Sequence, residues 1–418
     1  MLIDENVILL VLQSITRATL SQRSLDLAMR QPSMNAQCFA AAAWREQGLT
    51  ATELAAVLAR LELMFPGSGA SRSAYVASRY GLDSQPGEAA LAVFQAWQLG
   101  KRQIVYQSSG SSGIPKELPH SLDEVEQEVA AVAALFGEVK NVISVTPQYH
   151  CYGFIFGVLL PRVIGAKGRY LPPLPSLVAQ ALAPHTLLVG YPDLWQRLET
   201  AGGYSGQNVI CLSAGSPWPE DDMQRLLQHG LGVCEIYGSS ENGAVGYRRG
   251  PGDFTLVSYW RRSGASGAPG ANGGETLLRV PPTQVHAQMP PSAQNAHPRV
   301  WQDEVQWSGP GSFRPLKRLD NAVQVSGANV YPARVAELLA SHSQVADCRV
   351  RLMQPQEGRR LKAFVVPRPG ADESALRKEL RKLCRERLLP PERPASFSFG
   401  EKLPLNDFGK VTDWPIRR

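Results

Sequence analysis

Four short apolar runs between residues 141 and 240 constrain the fold of this chain more than any other feature. They read NVISVTP, TLLVGYP, NVICLSAG and VCEIYGSS, and helix-like segments separate them. Buried strands of a parallel sheet are apolar runs of this kind, and a helical crossover usually joins one to the next. The alternation therefore predicts an α/β fold with mainly parallel sheets layered with helices. In front of these runs, Ser121 and Glu124 predict a capping box for a helix that ends near Phe136.

The rest of the chain predicts further structural units, because 418 residues are too many for one compact core. Residues 263–298 are rich in Gly, Pro and Ala, and only ETLLRV within them is strand-like, so we expect a small β subdomain with long loops. Beyond residue 320 we expect a helix that begins at Pro332, the strands DCRVRLM and LKAFVVP, and the amphipathic helix SALRKELRKLCRERL. These elements predict a small α+β domain.

Cysteine usage and charge exclude several classes of function. The six cysteines are scattered without a CxxC pair, which argues against a zinc site and against thioredoxin-like chemistry. Residues 349–418 contain 17 Lys/Arg and 9 Asp/Glu, an excess of eight positive charges. Solvated helix faces and a surface for an anionic partner would both explain this excess. No aromatic-plus-basic motif accompanies it, so we do not expect nucleic acid as a partner.

Two apolar runs resemble export or membrane signals only superficially. Residues 7–12 follow acidic rather than basic residues and have no small-residue cleavage site after them, so we interpret them as part of a buried helix. The run YGFIFGVLLP is too short to span a bilayer. We therefore expect a cytoplasmic protein without a membrane span.

A stretch rich in serine and glycine, YQSSGSSGIPKELPHS, occupies residues 106–121. Successive backbone N–H groups and hydroxyls in such a loop can bind phosphate oxygens. It is not a Walker loop, because Pro115 stands where the second glycine is needed and Glu117 where Ser or Thr would hold Mg²⁺. Taken alone, the stretch fits a phosphate-binding loop and a flexible linker equally well.

The same stretch begins a series of motifs that resembles the adenylate-forming enzymes, the superfamily of acyl-CoA synthetases, peptide-synthetase adenylation domains and luciferases. It is similar to the family's phosphate loop. The later matches, in the family's order, are PQYHCYGF, LLVGYPDLWQRL, LSAGSPWP, YGSSE, GGETLLRV, RLDNAVQVSGANVYPARVAELL and PLNDFGKV. The likeness covers about residue 100 to the end of the chain. An ordered series is much stronger evidence than a single motif.

The resemblance implies a domain organisation and a reaction. Residues 1–319 would form the N-terminal adenylate-forming domain, and residues 320–418 a small mobile domain that carries the catalytic lysine. A small carboxylic acid would react with ATP, assisted by Mg²⁺, to give an acyl-adenylate. The phosphopantetheine thiol of CoA or of an acyl-carrier protein would then accept the acyl group. The basic C-terminal region suits either anionic acceptor.

The resemblance also assigns roles to site residues. Lys410 would bridge the carboxylate and the α-phosphate, Asp320 would be the hinge between the domains, His150 would gate the acyl pocket, and Glu241 would hold Mg²⁺. The residues expected to bind the nucleotide are Ser108, Ser109, Gly110, Ser111, Ser112, Gly113, Lys116, Gly215, Ser216, Tyr237, Gly238, Ser239, Ser240, Asp303 and Arg318.

Simpler interpretations of four of these residues stay open. Tyr237, which is expected to stack on adenine, could be ordinary packing, and His150 could be a core histidine. Glu241 could be an acid at a helix N-terminus, where the helix dipole favours negative charge. Lys410 could be a solvated surface charge.

The chain also departs from the family pattern. Its region before the phosphate loop is shortened, and Glu117 is unusual beside a phosphate site. Asp303, which with Arg318 is expected to contact the ribose hydroxyls, follows Trp301 and Gln302 where the family has Thr-Gly.

The shortened chain resembles the small ligases that supply aryl acids to aryl-polyene or xanthomonadin-type pigment synthesis. Aromatic residues around His150 permit such an acid. An amino-acid adenylation enzyme is an alternative, although YHCYGF has no aspartate to bind a substrate amine. A non-catalytic nucleotide-binding relative is another: Lys410 and Glu241 argue against it, whereas Glu117 and the missing Thr-Gly favour it.

Overall fold

The structure is a computed structural model, and it describes residues 2–23, 36–68, 78–108, 116–201, 208–215, 218–262, 276–280, 297–301, 303–318, 322–325, 328–354, 356–404 and 412–416. Its contacts divide the chain into two compact units. The larger comprises Met1–Gln107, Glu117–Trp301 and Val305–Leu316, and the smaller comprises Ser108–Lys116, Gln302–Glu304 and Lys317–Arg418. The predicted domain boundary between residues 319 and 320 lies outside the described residues and stays a prediction.

Helices and strands alternate through most of the described chain. The helices are Glu5–Arg23 (α1), Ala36–Ala41 (α2), Ala51–Met64 (α3), Pro86–Gln98 (α4), Leu122–Ala133 (α5), Cys151–Phe154 (α6), Leu160–Ile164 (α7), Pro175–Gln180 (α8), Pro192–Ala201 (α9), Glu220–Gln228 (α10), Pro332–Ala340 (α11) and Glu373–Arg387 (α12). A π-helical turn, Ile155–Leu159, joins α6 to α7. The strands are Gln103–Ser108 (β1), Lys116–Ser121 (β2), Asn141–Ser144 (β3), Lys167–Tyr170 (β4), Thr186–Gly190 (β5), Ile210–Ala214 (β6), Gly232–Ser239 (β7), Gly243–Arg248 (β8), Phe254–Leu256 (β9), Trp260–Arg262 (β10), Thr276–Arg279 (β11), His297–Val300 (β12), Asp303–Trp307 (β13), Ser312–Arg318 (β14), Val323–Val325 (β15), Ala328–Val330 (β16), Val345–Leu352 (β17), Leu361–Pro367 (β18) and Ser396–Phe399 (β19).

A nine-stranded sheet in the order β13-β14-β9-β8-β7-β6-β5-β3-β4 forms the centre of the larger unit. The four apolar runs are its strands β3, β5, β6 and β7, and these pair in parallel together with β4. Strands β7, β8, β9 and β14 continue the sheet with antiparallel pairs. The predicted parallel sheet is therefore confirmed, and an antiparallel part extends it beyond β7.

Successive residues of the parallel strands point to opposite faces of the sheet. Along β5, Leu187 and Val189 belong to a cluster that also contains buried residues of α1, α3, α4 and α5. Leu188, which lies between them, belongs to a second cluster with buried residues of α8, α9 and α10. Helices therefore cover both faces of the sheet, as the layered α/β prediction requires.

The N-terminal helix α1 belongs to the larger core. Residues 7–12 lie within it, and all of them except the partly buried Leu10 are buried. The interpretation of this run as a buried helix is confirmed. Among the described residues, no helix is both long and apolar enough to cross a membrane.

A three-stranded antiparallel sheet, β10-β11-β12, corresponds to the predicted small β subdomain. The run ETLLRV supplies its middle strand, β11. Most of residues 263–298 lie outside the described residues.

The smaller unit has its own sheet, core and helices. Strand β18 pairs antiparallel with β17 and parallel with β19. Helix α11 begins at Pro332 as predicted, and α12 buries Leu376 and Leu380 against the same core. The predicted amphipathic character of α12 is therefore confirmed.

The helix after β2 supports the turn between β7 and β8. Helix α5 begins with the predicted capping box of Ser121 and Glu124, but it ends at Ala133 rather than near Phe136. Its buried Glu128 accepts a hydrogen bond from the Ala244 N–H at 2.8 Å. Gly243, with φ +70°, has no room for a Cβ, which would overlap the Glu128 carboxylate. The turn therefore needs glycine at this position for two independent reasons.

Replacing Gly243 with alanine should destabilise the larger unit. The left-handed backbone conformation and the overlap with Glu128 should together lower the free energy of unfolding by about 2–4 kcal/mol, measured by chemical denaturation. Gly137→Ala is the matched control, because a Cβ there meets nothing within 4 Å. Equal stability of the two variants would contradict this account of the turn.

Candidate active site

The β7–β8 turn brings five predicted site residues together, Tyr237 to Glu241. Gly238 and Ser239 pair with Ala244 and Gly243, so residues 240–242 form the turn itself. A Cβ on Gly238 would overlap the carbonyl of Gly243, which explains the glycine at this position. The Asn242 N–H donates to Ser239 Oγ at 3.3 Å. Since Glu241 lies in a β-turn, the interpretation as an acid at a helix N-terminus is wrong.

Glu241 has a feature that fits a bound cation. Its Oε2 atom is buried and has no hydrogen-bond partner among the described residues. Buried carboxylate oxygens in native proteins nearly always have a partner. Mg²⁺ prefers oxygen ligands, and it is often bound by only one or two carboxylates together with substrate phosphates. The structure describes no cluster of three His, Cys, Asp or Glu side chains that could hold a metal alone, so a single carboxylate beside bound phosphates is the arrangement these residues fit.

His120 holds this turn from strand β2. Its Nε2 atom lies 2.7 Å from the carbonyl oxygen of Ser240. Because a carbonyl oxygen can only accept, we assign the proton to Nε2. His120 is buried, and its ring lies 5.2 Å from the ring of Tyr106 in β1. His120 was not among the predicted site residues, although the alternation along β2 places it with Leu118 on the buried face.

Tyr237 lies in a cluster of aromatic rings. The centroids of Phe254, Phe313 and Trp301 are 5.3, 5.6 and 5.7 Å from that of Tyr237. The interpretation of Tyr237 as packing is therefore correct for part of the ring. The side chain is only partly buried, so the stacking on adenine stays a prediction.

A shallow recess that is open to solvent lies at His150. Its lining combines apolar, aromatic and polar side chains: Arg60, Leu63, Met64, Val105, Gln107, Tyr149 and His150. Because His150 is exposed at this recess, the interpretation as a core histidine is wrong. Of the aromatic residues near it, Phe154 and Phe156 are buried in the core, and Tyr149 is the one that lines the recess.

The protonation state of His150 follows from its surroundings. Desolvation, together with the nearby positive charge of Arg60, lowers the pKa of His150 to about 4. The imidazole is therefore neutral at pH 7. The Arg60 guanidinium also lies over the Tyr149 ring, 3.9 Å from its centroid.

The other predicted site residues are placed only in part. Gly215 directly follows β6 and has the left-handed conformation, with φ +73°. Lys116 begins β2 and is exposed, and Asp303 begins β13 and is buried. Ser108 and Arg318 lie in β1 and β14, but their side chains are not described. The predicted residues outside the described chain are Ser109, Gly110, Ser111, Ser112, Gly113, Ser216, Asp320 and Lys410.

Comparison with known proteins gives matches on both units. The family described as "AMP-binding enzyme" matches residues 102–278, and the "AMP-binding enzyme C-terminal domain" matches residues 334–410. The 4-coumarate–CoA ligase of Halorhodospira halophila is 33% identical over 316 residues, 74% of each chain. That of Rhodobacter capsulatus is 35% identical over 319 residues, 75% of each chain.

A solved structure with the same fold is a double mutant of o-succinylbenzoate CoA synthetase from Bacillus subtilis with a product analogue. It superposes with a TM-score of 0.59 at 19% identity, and the match covers 75% of this chain and 68% of that chain. At this identity the structural likeness shows the fold alone.

Glu241→Gln should weaken the use of Mg²⁺ more than it affects folding. The amide keeps the shape of the side chain but removes one negative charge from the expected shell of the ion. We expect the Mg²⁺ concentration for half-maximal acid-dependent ATP–pyrophosphate exchange to rise about tenfold or more. Glu126→Gln, on the exposed face of α5, is the control. If the Glu241→Gln variant has the same exchange rate as the wild-type enzyme at limiting Mg²⁺, Glu241 is not a ligand of the ion.

His120→Phe should disturb the turn, because it keeps a ring but leaves the buried Ser240 carbonyl without its donor. Such a loss costs about 1–3 kcal/mol, to be measured by thermal or chemical unfolding. The apparent KM for Mg²⁺·ATP should rise as well. His120→Gln can place an N–H near the same position and should recover part of both effects. If the Phe and Gln variants behave alike, the hydrogen bond does not position the turn.

Proposed function

This chain belongs to the family of AMP-binding, adenylate-forming enzymes and is an AMP-forming acid–thiol ligase, and we propose that the acid it activates is an aryl carboxylic acid. Its substrates are ATP, used with Mg²⁺, a carboxylic acid and CoA. The observation that carries the aryl proposal is the similarity to two 4-coumarate–CoA ligases over three quarters of the chain.

The chemical character of the side chains around the shallow recess at His150 suits an aryl acid as the substrate. Leu63, Met64 and Val105 supply apolar surface there. Arg60, Gln107 and the neutral His150 would offer hydrogen bonds to oxygen substituents on an aromatic ring. An acid that carries both a ring and an oxygen function, such as a hydroxylated aryl acid, uses both parts of this lining.

In the first half-reaction, a carboxylate oxygen attacks the α-phosphorus of ATP, and pyrophosphate leaves. Two anions must approach, so the site has to neutralise charge and align the attack. Mg²⁺, when bound at Glu241, neutralises phosphate charge. We assign phosphate binding to the Ser-Gly loop with Lys116, stacking on adenine to Tyr237, and ribose binding to Asp303 and Arg318. Lys410 would bridge the carboxylate and the α-phosphate.

In the second half-reaction, a thiol attacks the acyl carbonyl, the bond to the phosphate oxygen breaks, and AMP leaves. We propose a rotation of residues 320–418 about Asp320 between the two half-reactions.

An acyl-carrier protein is a further candidate acceptor, because the C-terminal seventy residues carry the excess of positive charge. This acceptor would fit a role like that of the short ligases of aryl-polyene or xanthomonadin-type synthesis. The cytoplasmic location expected from the sequence stays a prediction.

ATP–pyrophosphate exchange with a panel of acids tests the substrate class. The panel should contain 4-coumarate, 4-hydroxybenzoate, benzoate, a long-chain fatty acid and several amino acids. We expect the highest kcat/KM with a hydroxylated aryl acid. Preference for an amino acid would support the rival adenylation function, and no exchange with any acid would support a non-catalytic relative. Thioester formation with CoA and with a holo-acyl-carrier protein then identifies the acceptor.

Arg60→Met sharpens the same experiment by testing whether the recess is the acyl pocket. The variant should lower kcat/KM for hydroxylated aryl acids more than for benzoate. Arg45→Met is the matched control, because Arg45 is exposed and pairs with Asp83 away from the recess lining. An unchanged ranking of acids in Arg60→Met would place the acyl pocket elsewhere.

A further inference from the structure

Lys362, in the smaller unit, is a fully buried lysine. It lies on β18, and its side chain has no exposed surface. Lysine is almost never fully buried unless it is paired, because removing an ammonium from water costs several kcal/mol. A buried lysine therefore calls for an explanation in terms of what it binds.

Three acceptors surround the Lys362 ammonium. Nζ lies 2.7 Å from Glu357 Oε2, 2.9 Å from Asp413 Oδ1 and 2.7 Å from the carbonyl oxygen of Trp414. An ammonium has three N–H donors, so every donor has an acceptor within reach. Desolvation alone would raise the pKa of the Asp413 carboxyl, but hydrogen bonds from Lys362 and Gln354 together outweigh it and lower the pKa. A hydrogen bond from Lys362 also lowers the pKa of Glu357. Both carboxylates are thus ionised at neutral pH.

Two of the three acceptors belong to the C-terminal segment 412–416, which has no regular secondary structure. Trp414 of this segment is buried, and its ring packs against Phe364 of β18 with centroids 5.6 Å apart. Gln354 donates to Asp413 Oδ2 at 3.2 Å. The segment is therefore attached to the sheet of the smaller unit by side chains, with Lys362 at the centre of the attachment.

The same segment is tied to the chain before it. The Thr412 N–H and hydroxyl both donate to the carbonyl oxygen of Pro404, at 2.8 and 3.2 Å. Pro404 and Thr412 are the described residues on either side of residues 405–411, and Lys410 lies two positions before Thr412. The contacts of Lys362, Trp414 and Thr412 therefore fix both ends of the segment that carries the expected catalytic lysine.

We propose that Lys362 is a positioning residue for Lys410: it anchors the chain that follows Lys410, so that the lysine can reach the carboxylate and the α-phosphate in the adenylation half-reaction. This proposal rests on the role given to Lys410 under the proposed function. Buried ion pairs often add little net stability compared with apolar residues of the same size. What Lys362 contributes is a fixed place for the C-terminal segment, since the three N–H donors of one ammonium bind two carboxylates and a carbonyl at one point.

Lys362→Met tests the proposal, because it keeps the length of the side chain and removes the donors. The rate of acid-dependent ATP–pyrophosphate exchange should fall about tenfold or more. Thioester formation from a pre-made acyl-adenylate and CoA should change by less than about twofold, because Lys410 does not act in that step. Hydrogen exchange should be faster in peptides that cover residues 405–416 and unchanged in β17 and β18. Lys382→Met, an exposed lysine on α12, is the matched control.

Each other outcome overturns the proposal. A folded Lys362→Met variant with wild-type exchange would show that the anchor is not needed. Equal loss of both half-reactions, together with faster hydrogen exchange throughout the smaller unit, would show a purely structural role. If Lys362→Met does not fold, the same measurements are made on Asp413→Asn. This variant weakens the attachment and leaves Lys362 paired with Glu357, and its results are interpreted in the same way.

Failure of the proposed function gives a different result. In that case Lys410→Ala leaves exchange intact, or wild-type enzyme shows no exchange with any acid. The hydrogen-exchange comparison of residues 405–416 still reports whether Lys362 anchors the segment.

Discussion

The contact between the Glu128 carboxylate and the β7–β8 turn is the interaction on which the candidate site depends. Glu128 accepts from the N–H of Ala244, while Tyr259 and Trp260 donate to the carbonyl oxygen of the same residue. A residue whose N–H and carbonyl oxygen are both bound by buried side chains resists a shift in register. The β7–β8 turn therefore holds Glu241 in one position. His120 adds a further contact, to the carbonyl oxygen of the adjoining Ser240.

Buried polar groups serve the same purpose in both units. In the larger unit, Glu128 and His120 hold the turn that carries the expected Mg²⁺ ligand, and Arg279 supports α5 through Gln127 and the carbonyl of Glu124. In the smaller unit, Lys362 holds the segment that follows the expected catalytic lysine. Such groups are costly to bury unless their hydrogen bonds are complete. They therefore select one arrangement of irregular chain where an apolar contact would allow several.

The pattern of apolar residues predicted the parallel strands correctly, but it did not predict where α5 ends or which aromatic residues line the recess. The four apolar runs became four parallel strands, because a strand buried on both faces has a distinctive composition. The end of α5 was placed too late, since the buried Phe136 follows the helix in a turn and apolar character alone does not distinguish the two. In the same way, the aromatic residues near His150 could not be divided in advance between core and recess.

The sequence by itself determined the family, the order of the strands along the chain and the residue types offered to the site. It did so because an ordered series of motifs, a capping box and apolar periodicity are all features of the local sequence. Only the tertiary structure decided which side chains hold the site in place. His120 and Ser240 are 120 positions apart, Glu128 and Ala244 are 116 apart, and Lys362 and Trp414 are 52 apart. A hydrogen bond needs its two atoms within about 3 Å, and for residues so distant in the chain that proximity comes from the packing of whole helices and strands.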